Sequence, residues 1–66
     1  MPSTVILRSS YNAETNTLTI TFVSGLVYDY KNVPEKAYKA MITSGAKGIY
    51  FNKYIKGKYD WEKVGG

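Results

Sequence analysis

The chain has no cysteine and no histidine. Without cysteine there is no disulfide, no thiolate metal site and no thiol nucleophile. Without histidine the usual general base near neutral pH is missing. The five acidic residues are scattered, and no pair has a spacing that marks a shared site. No serine or threonine lies in a recognisable nucleophile motif. These absences argue against an enzyme, and no cofactor or metal is implied. No apolar run approaches the length of a membrane span. The opening MPSTVILRSS lacks the basic and long apolar regions of a signal peptide, so a cytoplasmic protein is the expectation.

Sixty-six residues make one domain, 1–66. A chain of this size buries only about 60% of its unfolded surface, and small domains draw on staples, metals or oligomers for stability. Aromatic mass is the substitute here. Seven Tyr, two Phe and one Trp each bury a large area while leaving Tyr and Trp a polar tip. A monomer and a homodimer both remain open.

The net charge is +4, unevenly spread. Residues 1–46 set Arg8, Lys31, Lys36 and Lys39 against Glu14, Asp29 and Glu35; residues 47–66 set five lysines against Asp60 and Glu62. The excess therefore sits at the C-terminal end, within Gly45 to Tyr59, which carries Lys47, Lys53, Lys56 and Lys58, four aromatics and no acid. Lysines attract phosphates and ring faces stack on bases. The same composition also describes a solvated lysine face over an aromatic core.

Val5 to Tyr11 reads as a first strand, and Asn12 to Asn16 as a loop of turn formers. Thr17 to Phe22 alternates, with Leu18, Ile20 and Phe22 on one face and threonines on the other. The next strand is Leu26 to Lys31. A two-residue Ser24-Gly25 turn would put Asp29 on the apolar face. A three-residue loop, Val23-Ser24-Gly25, instead pairs Phe22 with Leu26, Ile20 with Tyr28 and Leu18 with Tyr30, and gives Gly25 the left-handed position. The second register is the expected one. Pro34 suits a helix start, and this helix runs to about Thr43, before Gly45. A second helix covers Lys47 to Ile55, stopped by Gly57, with Tyr50, Phe51, Tyr54 and Ile55 inward and Asn52, Lys53 and Lys56 outward together with Ile49. Tyr59 to Val64, with Trp61, reads as a short extended segment, and Gly65-Gly66 as a frayed tail. The fold class is α+β: a three-stranded antiparallel sheet, four-stranded if the last segment joins it, with both helices packed on one face.

The candidate binding residues are Lys47, Gly48, Asn52, Lys53, Lys56, Lys58 and Tyr59. Lysines on one exposed side suit phosphates, and Asn52 is a hydrogen-bonding group. Tyr59 and Trp61, outside the helix, are better placed to stack than Tyr50, Phe51 and Tyr54. Gly45-Ala46-Lys47-Gly48 lies at a helix start, where backbone N–H groups favour an anion, although it lacks the spacing of a Walker motif. The simpler account is that Gly45 ends one helix and Gly48 relieves crowding in the next. The terminal diglycine also invites comparison with ubiquitin-like carriers, but those return to the sheet where this chain inserts a second basic helix.

The succession of motifs resembles the KTSC domain, a short module at the C-terminus of some lysyl-tRNA synthetases and a stand-alone protein in bacteria and phages. The resemblance rests on Ser3-Thr4 before the first strand, the hairpin Thr17 to Tyr30, Tyr28-Asp29-Tyr30 and Val33-Pro34. It continues through Lys47-Gly48-Ile49-Tyr50-Phe51-Asn52 and Ile55-Lys56-Gly57-Lys58-Tyr59, and so covers nearly the whole chain. Family members often carry a serine two places before the glycine of the Lys-Gly block, where this chain has Ala46. The synthetase context implies RNA binding. The resulting expectation is a small non-enzymatic binding module for nucleic acid, RNA ahead of DNA. The alternative is an interaction or inhibitor module, of phage origin, meeting an acidic protein surface. A nucleotide- or anion-binding protein is a more remote third reading.

Overall fold

The structure, a computed structural model, describes residues 6–65. Ser3, Thr4, Val5 and Gly66 lie outside the described residues. Four strands and two helices follow in the order β1 (Ile6–Asn12), β2 (Thr17–Phe22), β3 (Val27–Tyr30), α1 (Glu35–Thr43), α2 (Lys47–Tyr54) and β4 (Trp61–Gly65). The sheet is antiparallel, in the spatial order β1-β2-β3-β4. The fold is thus α+β, and the segment after α2 is its fourth strand.

Turn chemistry sets the register of the first three strands. Between β1 and β2, the Asn12 side-chain oxygen accepts the Glu14 N–H at 2.9 Å, and Asn16 takes a left-handed φ of 55°, a conformation asparagine tolerates well. Between β2 and β3, the Gly25 N–H donates to the Phe22 carbonyl and the Phe22 N–H to the Leu26 carbonyl, each at 2.9 Å. Gly25 has φ 97°, as a three-residue loop with a left-handed third position requires. Ile20 then faces Tyr28 and Leu18 faces Tyr30. Asp29 faces Thr19 on the opposite side of the sheet, where the Thr19 hydroxyl donates to it at 2.7 Å.

Pro34, with φ −68°, occupies the N-cap of α1, one place earlier than a first-turn position. Its carbonyl accepts the N–H groups of Ala37 and Tyr38. At the other end of α1 the Ser44 hydroxyl donates to the Met41 carbonyl at 2.8 Å, and Gly45 turns the chain with φ 78°. The second helix ends one residue short of the expected Ile55, which serves as its C-cap.

Helices and sheet meet through one apolar cluster. Leu18, Ile20, Phe22 and Tyr30 from the inner sheet face bury Val33, Met41 of α1, Phe51 of α2 and Ile55. Phe51 anchors α2 edge-on against Phe22 and Tyr30, with ring centroids 5.7 and 5.1 Å away. At the β1 edge of the same sheet face Tyr11 of β1 stacks on Tyr38 of α1 at 5.1 Å. Full burial of a phenylalanine side chain is worth about 1.5–3 kcal/mol, a large share of what so small a domain can accumulate.

The tail differs from the sequence expectation at Gly65. Gly65 pairs with Val27 at the end of β4, and a Cβ built on it would meet the Val27 side chain at 3.3 Å. It is a ladder residue rather than a frayed one.

Candidate functional site

Lys47 opens α2, Asn52 and Lys53 follow on its exposed side, and Lys56 and Lys58 extend from the turn beyond it. The turn is tightly closed: Lys56 N–H donates to the Phe51 carbonyl at 2.8 Å, Lys58 N–H to the Ile55 carbonyl at 3.0 Å, and Gly57 has φ 79°. Among the described residues the two ion pairs are Lys31–Glu62 at 3.2 Å and Lys39–Glu35 at 3.4 Å. Neither involves Lys47, Lys53, Lys56 or Lys58, so none of these four has a carboxylate partner among the described residues.

The aromatic residues are distributed differently from the helical-wheel expectation. Phe51 and Ile55 are fully buried, but Tyr54 is 50% exposed. It lies against Tyr50 with ring centroids 4.6 Å apart, and the Lys53 ammonium sits 5.4 Å from its ring centroid. Tyr59, expected to be a stacking residue, instead packs half-buried against the core. The chain turns at Gly57 and brings Tyr59 against the buried cluster. Trp61 remains open, at 56% exposure.

Sequence reasoning did not foresee the cleft of about 380 Å³ beside Trp61. Register places Trp61 of β4 opposite Tyr30 of β3, which turns both toward the helix-bearing face. The Trp61 ring lies 5.2 Å from Tyr28, and Tyr28 meets Phe22 edge-on at 5.8 Å. Leu26 and Ser24 close the hairpin side, and Lys56 reaches the cleft from the turn after α2. No carboxylate lines it. Burial and then the neighbouring Tyr28 raise the Tyr30 hydroxyl above the usual tyrosine value, so it stays protonated at neutral pH. The result is an aromatic wall with one ammonium and one serine hydroxyl.

Gly48 is half-buried in the first turn of α2. With Gly45, Ala46 and Lys47 it borders a second, more open groove of about 540 Å³, walled by Ile6, Ile42 and Ile49. Ala46 is the N-cap of α2 and makes no side-chain capping bond. Among the described residues no three His, Cys, Asp or Glu side chains gather as a metal site, and no helix is long and apolar enough to cross a membrane.

The KTSC domain model matches residues 2–59. A lysine–tRNA ligase of Nostoc punctiforme is 45% identical over 60 residues, covering 91% of this chain and 11% of the ligase. A lysine–tRNA ligase of Trichormus variabilis is 43% identical over 54 residues, 82% of this chain and 10% of that one. The chain thus spans about a tenth of the length of these curated relatives. The crystal structure of a KTSC domain protein from Yersinia pestis superposes with a TM-score of 0.86 at 35% identity, covering 98% of this chain and 92% of the other. By sequence and by fold, this chain belongs to the KTSC domain family.

Proposed function

We propose that this domain is a non-enzymatic binding module for nucleic acid, with RNA ahead of DNA. The observation that carries the reading is the set Lys47, Lys53, Lys56 and Lys58, which lies on and just after one helix and outside both ion pairs among the described residues. Each exposed ammonium beside a phosphate releases a condensed counterion, which is the main source of sequence-independent affinity. Asn52 adds a donor and an acceptor on the same side. The relatives named as lysine–tRNA ligases make RNA the first polyanion to test. The absence of histidine and cysteine favours binding over chemistry.

Charge reversal of Lys53→Glu together with Lys56→Glu is expected to weaken RNA binding at low salt by at least about tenfold, whatever the sequence. Fluorescence anisotropy with a labelled oligonucleotide measures this. Equal affinity of the double variant and the parent would sink the reading.

A second reading, a module docking on an acidic protein segment, is favoured by the apolar groove at Ile6, Ile42 and Ile49 with Lys47 at its edge. Ile49 is 72% exposed and extends the apolar surface of that groove. A pull-down with and without nuclease separates the two: partners lost on nuclease treatment support the first reading, and partners retained support the second.

A further inference from the structure

We propose that the cleft at Trp61 receives one unpaired base of a single-stranded nucleic acid, stacked on the indole, while Lys56 holds the adjacent phosphate. The inference rests on the nucleic-acid reading above and gives that reading a stacking site at Trp61 in place of Tyr59, which packs half-buried against the core.

Three features of the cleft select this ligand. Trp61 and Tyr28 pack together at 5.2 Å, yet more than half of Trp61 stays in water, which leaves an apolar ring surface for a planar partner. Sheet register holds that ring in place, with Trp61 opposite Tyr30 on one side of the ladder. A stacking platform held by a sheet loses little side-chain freedom on binding.

The second feature is charge. Aromatic walls also attract cations such as quaternary ammonium groups, but this cleft is lined by Lys56 and by no carboxylate. A cationic ligand would meet an ammonium group without compensation. A ligand that joins an aromatic ring to a negative charge fits both the walls and the lysine, and a nucleotide is of that class.

The third feature is shape. At about 380 Å³ the space falls at the lower end of small-ligand sites, which suits one base but not a base pair. In a duplex the base faces are occupied by their neighbours, so only a splayed base can enter. Besides the Ser24 hydroxyl and the tyrosine tips, the lining offers little to read a base edge. Stacking therefore dominates, and the site tolerates any base sequence. The occupant is a strand rather than a free nucleotide, because Lys53 and Lys58 supply charge that only a chain with further phosphates can use.

Trp61 is the chain's single tryptophan, so its emission reports the site directly. The full chain is titrated with a fluorescein-labelled single-stranded RNA, the same sequence as a duplex, and adenosine monophosphate. Tryptophan emission and, for the labelled nucleic acids, anisotropy are recorded together. The single strand is expected to quench the emission in step with the anisotropy change. The duplex is expected to bind without matching quenching, and the mononucleotide to need at least about a hundredfold higher concentration. Trp61→Ala is expected to lower single-strand affinity by roughly five- to a hundredfold, whereas Trp61→Phe, which keeps a ring, retains most of it; circular dichroism checks that both variants fold. Binding seen by anisotropy with unchanged emission, or equal affinity of Trp61→Ala, overturns the cleft assignment and leaves the lysine surface standing. So does equal quenching by the duplex or equal affinity of the mononucleotide. No binding of any nucleic acid overturns both.

Discussion

Tyr11 shows how one hydroxyl joins distant parts of the chain. It donates to the Val33 carbonyl at 2.6 Å and lies 3.1 Å from the Asn16 side-chain oxygen; with a single proton it serves one of these at a time. Its ring stacks on Tyr38. The contact therefore ties β1 to the segment that leads into α1. Burial, aided by the Glu35 carboxylate, raises its pKa above the ordinary value, and burial followed by Tyr28 does the same for Tyr30. The folded state thus favours both neutral phenols. Stability from this source is complete below the unfolded-state tyrosine pKa of about 10. Above it the unfolded chain loses protons first, so stability falls as the pH rises toward the folded values. Melting temperatures measured from pH 8 to pH 11 are expected to drop over the upper part of that range, and less steeply in Tyr11→Phe and Tyr30→Phe. Tyr11→Phe should also melt lower at neutral pH, since the Val33 carbonyl loses its donor. Parallel pH profiles for parent and variants would contradict the assignment.

At the scale of elements, what the sequence made legible was local. The hairpin register could be read because Asp29 tolerates only one face, and the Gly25 turn that enforces it is a matter of three residues. The start of α1 and the stop of α2 were marked by Pro34 and Gly57 in the same way. The faces of α2 were only half legible. A helical wheel gives the direction of Tyr54 but not the width of the sheet beneath it, and Tyr54 points past the core onto Tyr50 and Lys53. Tyr59 and the cleft depended on the chain's return to β3 after Gly57, a long-range pairing with no local periodicity.

Ala46 also gains a meaning at this scale. It is the N-cap of α2, without a capping side chain, at the position where the family often carries serine. A serine there is a helix cap before it is a binding group, because its hydroxyl can accept an orphan N–H of the first turn. Ala46→Ser is therefore expected to stabilise the domain by about 0.5–2 kcal/mol. For a domain of this size each kcal/mol is roughly 4–8 °C in melting temperature, and thermal denaturation would read it. An unchanged or lower melting temperature would count against the capping role.

Over the whole molecule the sheet sets one pair of carboxylates apart from the lysines of α2. Asp29 and Glu62 face each other across β3 and β4, on the side away from the helices, where Thr19 and Lys31 bind them. Lys47 and Lys53 belong to α2 on the other side, with Lys56 and Lys58 just beyond it. With a net charge of +4, α2 and the turn after it form the lysine-rich approach proposed for a polyanion, and salt reports how much of the binding that approach supplies. If three or four of these lysines each neutralise a phosphate, the logarithm of affinity for a single strand should fall against the logarithm of salt with a slope of roughly −2 to −3. Removing two of them in Lys53→Glu with Lys56→Glu should flatten the slope by roughly 1.4 or more. Trp61→Ala should lower affinity while changing the slope by no more than roughly 0.7, the share of the one phosphate that Lys56 holds beside the cleft. Anisotropy titrations at four salt concentrations distinguish these behaviours. A slope near zero for the parent would mean that the lysines meet no phosphates, and a larger change of slope in Trp61→Ala would mean that the indole positions more of the strand than one base and its phosphate.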